Sequence, residues 1–358
     1  MADTLGLIKK ISQLAEGKGK LRFMEVCGTH TVAIFRSGIR QILPDNVELV
    51  SGPGCPVCVT NDDYIDKAIF YAQQKNFIVA TFGDLLKVPG TQSSLADASA
   101  EGAEIKIVYS PLDCIRIARE NPSQKVVFLA VGFETTAPTA AATVLATRAQ
   151  GIKNLFMLSA QKLVPPALRF LLNDPAVKID GLLLPGHVAV VTGANAFKFL
   201  SEEFKMPSAI TGFEADEILT AILSLLEQID GNRAEVSNNY RVVVKPKGNL
   251  HAKRILSQVY RVADVSWRGM GEIPESGLKM RDKLAKFDIE RVEPAKIESV
   301  EKKTACRCGE VLRGMINPTQ CPLFGKACKP LHAIGPCMVS VEGVCAAWFK
   351  YGSSKFNF

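Results

Sequence analysis

The chain has 358 residues, 47% of them hydrophobic, which is enough for two or three domains with apolar cores. Its 43 basic and 36 acidic residues are interspersed and lack an aromatic-basic stripe, which argues against nucleic-acid binding. The first twenty residues contain no apolar signal segment, and no uncharged run approaches the roughly 18 residues that span a membrane. The sequence therefore predicts a cytoplasmic protein whose thiols stay reduced.

Short apolar segments alternate with helical patterns along most of the chain. The segments are uniformly apolar, which is typical of strands buried on both faces of a parallel sheet. The predicted strands lie at residues 21–26, 47–51, 77–82, 105–110, 125–132, 154–159 and 181–186. The predicted helices lie at residues 62–75, 112–122, 139–150 and 214–230. This alternation predicts an α/β fold with doubly wound parallel sheets.

The domain organisation is predicted from a weak internal similarity. FMEVCGTHT (23–31) and FLAVGFETT (128–136) align without a gap, which suggests two similar α/β halves. We therefore predict one α/β domain over residues 21–120 and a second over 121–231. A third unit would combine residues 1–20 with 232–358, where a charged connector at 290–303 leads into a cysteine-rich tail.

Unusual residues gather at the carboxyl ends of four predicted strands. CGTHT follows FMEV, GPGCPVC follows VELVS, GFETTAP follows VVFLA, and PGHVAVVTG follows GLLL. Ligands of open α/β sheets bind at this edge of the sheet. We therefore expect the four loops to converge on one cleft.

Six of the ten cysteines lie in one forty-residue segment of the tail, residues 306–345. They are Cys306, Cys308, Cys321, Cys328, Cys337 and Cys345. The paired CxxC knuckles of most zinc sites are absent from this segment, as is the CxxCxxC run of ferredoxins. Glycine and proline near several of these cysteines favour an iron–sulfur cluster, with a zinc site or reduced structural thiols as alternatives. A [4Fe–4S] cluster needs four thiolates, which would leave two for a redox-active pair.

A second group of cysteines lies in the predicted cleft. Cys27 follows the first strand, and Cys55 and Cys58 form a CPVC motif after the second. Three thiols in a cleft suit a soft metal ion. A thioredoxin-like dithiol and three unreactive buried thiols are the alternatives. Cys114 lies within a helical pattern and is predicted to be a core residue.

Other polar residues of the loops have both a functional and a structural interpretation. His30 could ligate a metal or move a proton, or it could be structural. Glu134 offers a carboxylate at a strand end, where simple helix capping is the alternative. His187 is as consistent with a structural role as with a cleft residue. Neither a GxGxxG motif nor a Walker loop supports a nucleotide site.

Five motifs in order, MEVCGTHT, SGPGCPVCVT, VGFETTAP, PGHVAVVTG and the CRC…C…C…C…C tail, resemble the HypD family of [NiFe]-hydrogenase maturation factors. The resemblance covers residues 21–348. It implies three domains, two of them similar, and a [4Fe–4S] cluster in the C-terminal part. It also implies partners, a HypC-like small chaperone and a HypE-like cyanide donor, with which the protein assembles the Fe(CN)₂CO group, and indirectly the hydrogenase large subunit. Such a protein is an assembly scaffold rather than a stand-alone enzyme.

The resemblance also implies roles for individual residues. It puts the iron of the Fe(CN)₂CO fragment at Cys27, beside Cys55 and Cys58, with His30 and Glu134 as further active residues. Thr29, Thr31 and Thr135 would offer hydrogen bonds to cyanide nitrogens.

Likeness to ferredoxin:thioredoxin reductase implies the division of the tail cysteines. Cys306, Cys321, Cys328 and Cys345 would bind the cluster, and Cys308 and Cys337 would form a disulfide. The alternatives in other functional classes are a stand-alone thiol–disulfide oxidoreductase of that type and a zinc-stabilised binding module.

Overall fold

The computed structural model describes residues 4–297 and 304–352. Eleven strands occur within these residues: β1 Leu21–Glu25, β2 Val47–Ser51, β3 Phe77–Thr81, β4 Ile105–Ile107, β5 Lys125–Gly132, β6 Leu155–Lys162, β7 Gly181–Pro185, β8 Ser208–Thr211, β9 Val236–Asn238, β10 Tyr260–Trp267 and β11 Gly271–Met280. The strands form two sheets, so the predicted α/β class is confirmed.

The helices lie between the strands and around the tail. Those within the described residues are α1 Thr4–Ala15, α2 Gly28–Arg36, α3 Ile39–Ile42, α4 Asp62–Ala72, α5 Leu95–Ala100, α6 Asp113–Glu120, α7 Ala137–Ala149, α8 Val164–Leu172, α9 Gly186–Thr192, α10 Phe199–Glu202, α11 Ala215–Asp230, α12 Leu250–Val259, α13 Ile289–Val292, α14 Cys308–Leu312 and α15 Val344–Tyr351. Within the part of the chain that is described, none of them is both long and apolar enough to cross a membrane.

The first sheet is entirely parallel and has the order β2-β1-β7-β8-β9. The second sheet has the order β10-β11-β6-β5-β3-β4. Its strands β6, β5, β3 and β4 are parallel, and the hairpin β10–β11 adds to β6 in antiparallel orientation. The hairpin lies in a segment where the sequence pattern indicated no strand.

Strand pairing divides the chain differently from the predicted ranges 21–120 and 121–231. β1 and β2 share a sheet with β7, β8 and β9, which follow residue 180, whereas β3 to β6 belong to the other sheet. The predicted grouping of residues 1–20 with the tail also differs from the packing, because Ile11 and Ala15 of α1 lie in one core with β1 and α11. A strand pattern shows that a segment is buried but not which strand it pairs with. The domain boundaries themselves remain a prediction.

Apolar residues of both sheets share a central core. Met24 and Val50 of the first sheet lie in one cluster with Val127 and Leu129 of the second. A separate core covers the far face of each sheet. β3 and β7 are buried at every position, as expected for strands covered on both faces. Cys114 is fully buried in the outer core of the second sheet, so its prediction as a core residue is confirmed.

Each parallel array has a point where the strand order reverses. In the first sheet β2 lies on one side of β1, and β7, β8 and β9 lie on the other. In the second sheet β4 lies outside β3, and β6 lies outside β5. A crevice opens beyond the carboxyl ends of the strands at such a point, and ligands of this fold class bind there. The two crevices lie next to β1 and β7 and next to β3 and β5.

Candidate functional site

Cys27 lies at the reversal point of the first sheet. It comes two residues after β1 and is the N-cap residue of α2, and His187 follows the neighbouring strand β7. Burial and the negative charge of Glu342 raise the pKa of the Cys27 thiol to about 11, although hydrogen bonds with His30 and Thr29 oppose the shift. The thiol is therefore protonated at neutral pH, and a metal ion that binds its sulfur has to displace the proton.

The CGTH and GPGC loops lie against each other. The N–H of Gly28 donates to the carbonyl of Gly54 at 3.1 Å. A Cβ atom at Gly54 would lie 2.5 Å from the Cα of Cys27, so only glycine permits this approach. The predicted convergence of these two loops agrees with the structure.

Cys55 and Cys58 form a disulfide, with their Cα atoms 5.2 Å apart. Both residues are buried. The N–H of Cys58 donates to Cys55 Sγ at 3.1 Å, and Cys55 Sγ lies 3.4 Å from the hydroxyl of Ser340 in the tail. This pair has to be reduced before either sulfur can act as a thiolate ligand.

The turn at residues 340–343 connects the tail to the cleft. Glu342 accepts a hydrogen bond from the hydroxyl of Thr29 at 2.8 Å. A Cβ atom at Gly28 would collide with the backbone oxygen of Glu342, so the turn lies directly on the start of α2. Cys337 and Cys345 lie on either side of the turn, and Cys55 contacts it through Ser340. The two cysteine groups of the sequence therefore belong to one continuous structure.

His30 is fully buried within α2, so its side chain does not face solvent. Its Nε2 donates to the carbonyl of Gly212 at 2.8 Å, and its Nδ1 has no hydrogen-bond partner among the described residues. Burial lowers the pKa of His30 to about 4, so the ring is neutral at physiological pH. Phe213 lies between the rings of His30 and His187, with centroid distances of 4.6 and 4.2 Å.

Two of the three predicted threonine donors are engaged within the protein. The hydroxyl of Thr31 is buried and donates to Glu25 at 2.6 Å. Glu25 also forms a buried ion pair with Arg40. The hydroxyl of Thr29 donates to Glu342. Thr135 is exposed on the other sheet. The expectation that Thr31 offers a free donor is therefore wrong.

Glu134 lies at the reversal point of the second sheet, where it follows β5. Its Oε1 accepts a hydrogen bond from the N–H of Val164 at 3.0 Å, and its Oε2 has no hydrogen-bond partner among the described residues. Burial raises the pKa of Glu134 to about 7. Its neighbour Phe133 stacks on Trp267 with ring centroids 5.8 Å apart. None of these contacts joins Glu134 to Cys27.

The six tail cysteines are free thiols and are all buried or half-buried. Electrostatic interactions connect Cys345 with Cys328, Cys321 and Cys308, and Cys337 with Cys345 and Cys308. Cys306 interacts with Cys308 and Cys337. The predicted Cys308–Cys337 disulfide is not formed here, and the pairing remains a prediction.

Arg268 connects the tail with the CPVC segment. The guanidinium of Arg268 forms an ion pair with Asp62 and hydrogen-bonds Cys308. The backbone N–H of Arg268 donates to the carbonyl of Val59 at 2.9 Å. A hydrogen bond from Cys306 and the positive charge of Arg268 lower the pKa of Cys308, although burial opposes the shift. The fold therefore favours the thiolate form of Cys308.

The donor set of the tail consists of six thiols, the ligand type that a [4Fe–4S] cluster takes. In the described parts of the chain, no three or more His, Cys, Asp or Glu side chains are arranged to hold one metal ion. A [4Fe–4S] cluster makes a different demand, because each of four thiolates binds its own iron atom. The tail offers an all-sulfur donor set, and the N–H of Ile334 already donates to Cys328 Sγ at 3.4 Å. Backbone donors to sulfur are a feature that tunes such clusters.

Glu342 and Arg268 had no signal in the sequence. A single glutamate in VEG and a single arginine in WRG match no motif, and both residues reach the cysteines only through the tertiary fold. Ser340 was missed for the same reason. Their proximity to named cysteines in the structure is what identifies them.

We expect Glu342→Gln to lower the pKa of Cys27 by about one pH unit, because the substitution removes a neighbouring negative charge. The measurement is the pH profile of Cys27 alkylation by iodoacetamide, resolved by peptide mass spectrometry. Glu16→Gln, at an exposed position, is the control and should leave the profile unchanged. An identical profile in Glu342→Gln protein would show that the charge of Glu342 does not contribute to this pKa.

Comparison with known proteins identifies the family. The HypD family model, described as "Hydrogenase formation hypA family", matches residues 3–352. Hydrogenase maturation factor HypD of Escherichia coli is 45% identical over 333 residues, which cover 92% of this chain and 89% of the relative. A putative hydrogenase expression/formation protein of Methanocaldococcus jannaschii is 42% identical over 346 residues, or 96% of each chain. Hydrogenase maturation factor HypD2 of Bradyrhizobium diazoefficiens is 43% identical over 356 residues, 97% of this chain and 94% of the relative. The chain therefore belongs to the HypD family of hydrogenase maturation factors.

Proposed function

We propose that this chain is the scaffold on which the Fe(CN)₂CO group of a [NiFe]-hydrogenase is assembled, with a HypC-like chaperone and a HypE-like cyanide donor as partners. The observation that carries the proposal is the position of Cys27. It stands at the reversal point of a parallel sheet, against the CPVC loop and beneath a turn of the cysteine-rich tail. Membership of a family of hydrogenase maturation factors supports it.

The iron fragment is the cargo, and Cys27 is its proposed anchor. Low-spin iron with cyanide and carbonyl ligands is a soft centre that a thiolate binds well. Loading releases the Cys27 proton, and the first turn of α2 already directs hydrogen bonds at the sulfur. Reduction of the Cys55–Cys58 disulfide takes up two electrons and two protons and supplies two further thiols next to the anchor. His30, which is buried and neutral, holds α2 against Gly212.

The proposed resident cofactor is a [4Fe–4S] cluster bound by Cys306, Cys321, Cys328 and Cys345. When bound, it supplies electrons one at a time. The rest of the tail is proposed to position these thiols against the cleft, because the turn at 340–343 contacts both Cys55 and Thr29. Cys308 and Cys337 remain as the candidate redox pair.

The disulfide at Cys55–Cys58 also favours a second candidate, a thiol–disulfide oxidoreductase. In that function Cys55 and Cys58 would be essential and Cys27 would be dispensable. The free thiol of Cys27 is compatible with both functions, and infrared spectroscopy distinguishes them.

The test is an infrared spectrum of the full chain, purified without oxygen together with its HypC-like partner. The scaffold function predicts cyanide and carbonyl stretching bands that co-purify with the complex. A preparation made without the HypE-like partner is the control and should lack the cyanide bands. Disulfide reductase activity in a complex that lacks both kinds of band would instead favour the oxidoreductase.

A further inference from the structure

A cavity of about 200 Å³ lies between the start of α4, the end of β6 and the hairpin β10–β11. Its wall begins at Thr60, two residues after Cys58, and none of its lining residues is among the contacts of Cys27. Cavities for drug-sized ligands are typically larger, about 300–1,000 Å³. This one therefore suits a ligand of only a few atoms.

Lys162 places a buried positive charge in the wall of this cavity. The side chain is 4% exposed and lies over the ring of Trp267. Its Nζ donates to the carbonyl of Ser266 at 2.6 Å, yet an ammonium group has three hydrogens to donate. No carboxylate of the described residues lies within 4.0 Å of this nitrogen. A buried charge without an ion-pair partner is costly, so an anion that binds beside Lys162 would be stabilised.

The other charges around the cavity are paired or exposed to solvent. Lys67 forms an ion pair with Glu290 at 2.6 Å, and Lys279 is exposed. Asp63 interacts with Lys162 electrostatically without forming an ion pair. The ammonium of Lys162 supplies one positive charge, and the carboxylate of Asp63 repels anions. The net charge therefore disfavours a dianion such as phosphate and favours a monoanion.

Neutral donors stand beside the ammonium group. Asn61 donates one amide hydrogen to Ser266 Oγ at 2.8 Å. The buried amide nitrogen of Gln161, which also lines the cavity, has no hydrogen-bond partner among the described residues, and the side chain of Ser266 is exposed. An ammonium, an amide and a hydroxyl together match the two oxygen atoms of a carboxylate.

We propose that this cavity binds a small carboxylate monoanion, such as formate or acetate, on the ammonium group of Lys162. Burial lowers the pKa of Lys162 to about 8, so the ammonium is mostly protonated at neutral pH and carries the charge that the ligand needs. The site is distinct from the proposed iron anchor, and it requires neither iron nor partner proteins.

The test uses the purified full chain without iron and the transverse relaxation of the formate and acetate proton signals. At constant ionic strength we expect saturable binding that weakens about tenfold or more in Lys162→Met, which keeps the length of the side chain but removes its charge. Lys279→Met is the matched control, because Lys279 lines the same cavity at an exposed position, and its affinity should equal that of the unsubstituted chain. Loss of a buried, unpaired charge should not unfold the protein, which circular dichroism will check.

The pH dependence tests the same proposal without a variant. Binding should be retained from pH 6 to 7 and be lost as the pH rises above about 8, where Lys162 loses its proton. The other titratable groups around the cavity are Asp63, Tyr64, Lys67, Lys279 and Glu290. The proposal is wrong if no saturable binding occurs, if Lys162→Met binds as well as Lys279→Met, or if binding persists at pH 10. Tighter binding of inorganic phosphate than of formate would overturn the carboxylate assignment.

Discussion

Cys27→Ala protein, co-expressed with its partners, is expected to lose the cyanide and carbonyl infrared bands by about tenfold or more, because the iron fragment loses its anchoring thiolate. The visible absorption of the tail cluster should remain. The tail contacts this region through the hydroxyl of Thr29 and the backbone at Gly28, and neither contact needs the Cys27 side chain. The measurement is the ratio of infrared band intensity to cluster absorbance in the same preparation.

Cys114→Ala is the control for this experiment. It also removes one thiol, but from the outer core of the second sheet, far from the cleft loops in the fold. It should keep both the infrared bands and the cluster absorption. Full bands in Cys27→Ala protein would contradict the scaffold function as proposed, and loss of both signals would indicate that the tail depends on Cys27 structurally.

The strands that the sequence predicted well are those with uniform burial. β3, β5 and β7 are apolar along almost their entire length, so their pattern is unambiguous. The hairpin β10–β11 was missed because half of its strand residues are exposed at the edge of a sheet. Its stability depends on pairing with β6, and a long-range contact leaves no trace in a local pattern.

The site was predictable where it depends on loops that follow strands. Parallel strands bring their carboxyl ends to one edge, and strands that are consecutive in sequence usually pair, so the approach of the CGTH and CPVC loops was predictable. The association of GFETT with the second sheet was not predictable, because the sequence does not show which of the more distant strands share a sheet. Glu342 is a further example. Its effect on Cys27 arises across 315 positions of sequence, through a turn whose path depends on the packing of α15 against α2.

The buried state of His30 shows why residue type alone was insufficient. A histidine three residues after a cysteine has the spacing of a metal ligand, but α2 directs its ring toward Gly212 and Phe213. The helix begins at Gly28, so successive side chains turn by about 100° and Cys27 and His30 do not have to face the same ligand. The sequence could indicate the residue but not the direction of its side chain.

Substitution of the tail cysteines is expected to separate cluster ligands from the redox pair. Serine at Cys321, Cys328 or Cys345 should each remove the tail iron, about four atoms per chain, because a [4Fe–4S] cluster needs four thiolates. Cys345 also interacts electrostatically with both Cys328 and Cys321 in the fold. The measurement is iron and sulfide content of anaerobically purified protein, with the absorption near the cluster band as a second readout.

The decisive comparison is between Cys306 and Cys308, since the two side chains hydrogen-bond each other and only one is proposed as the fourth ligand. Cys306→Ser should lose the iron. Cys308→Ser and Cys337→Ser should keep it and lose one redox-active dithiol, measured by thiol titration before and after reduction. Arg268 beside Cys308 favours a thiolate there, which suits a nucleophile in disulfide exchange as well as a ligand. Iron that is lost in Cys308→Ser but retained in Cys306→Ser would therefore assign the fourth ligand to Cys308 and leave Cys306 to pair with Cys337, with which it also interacts.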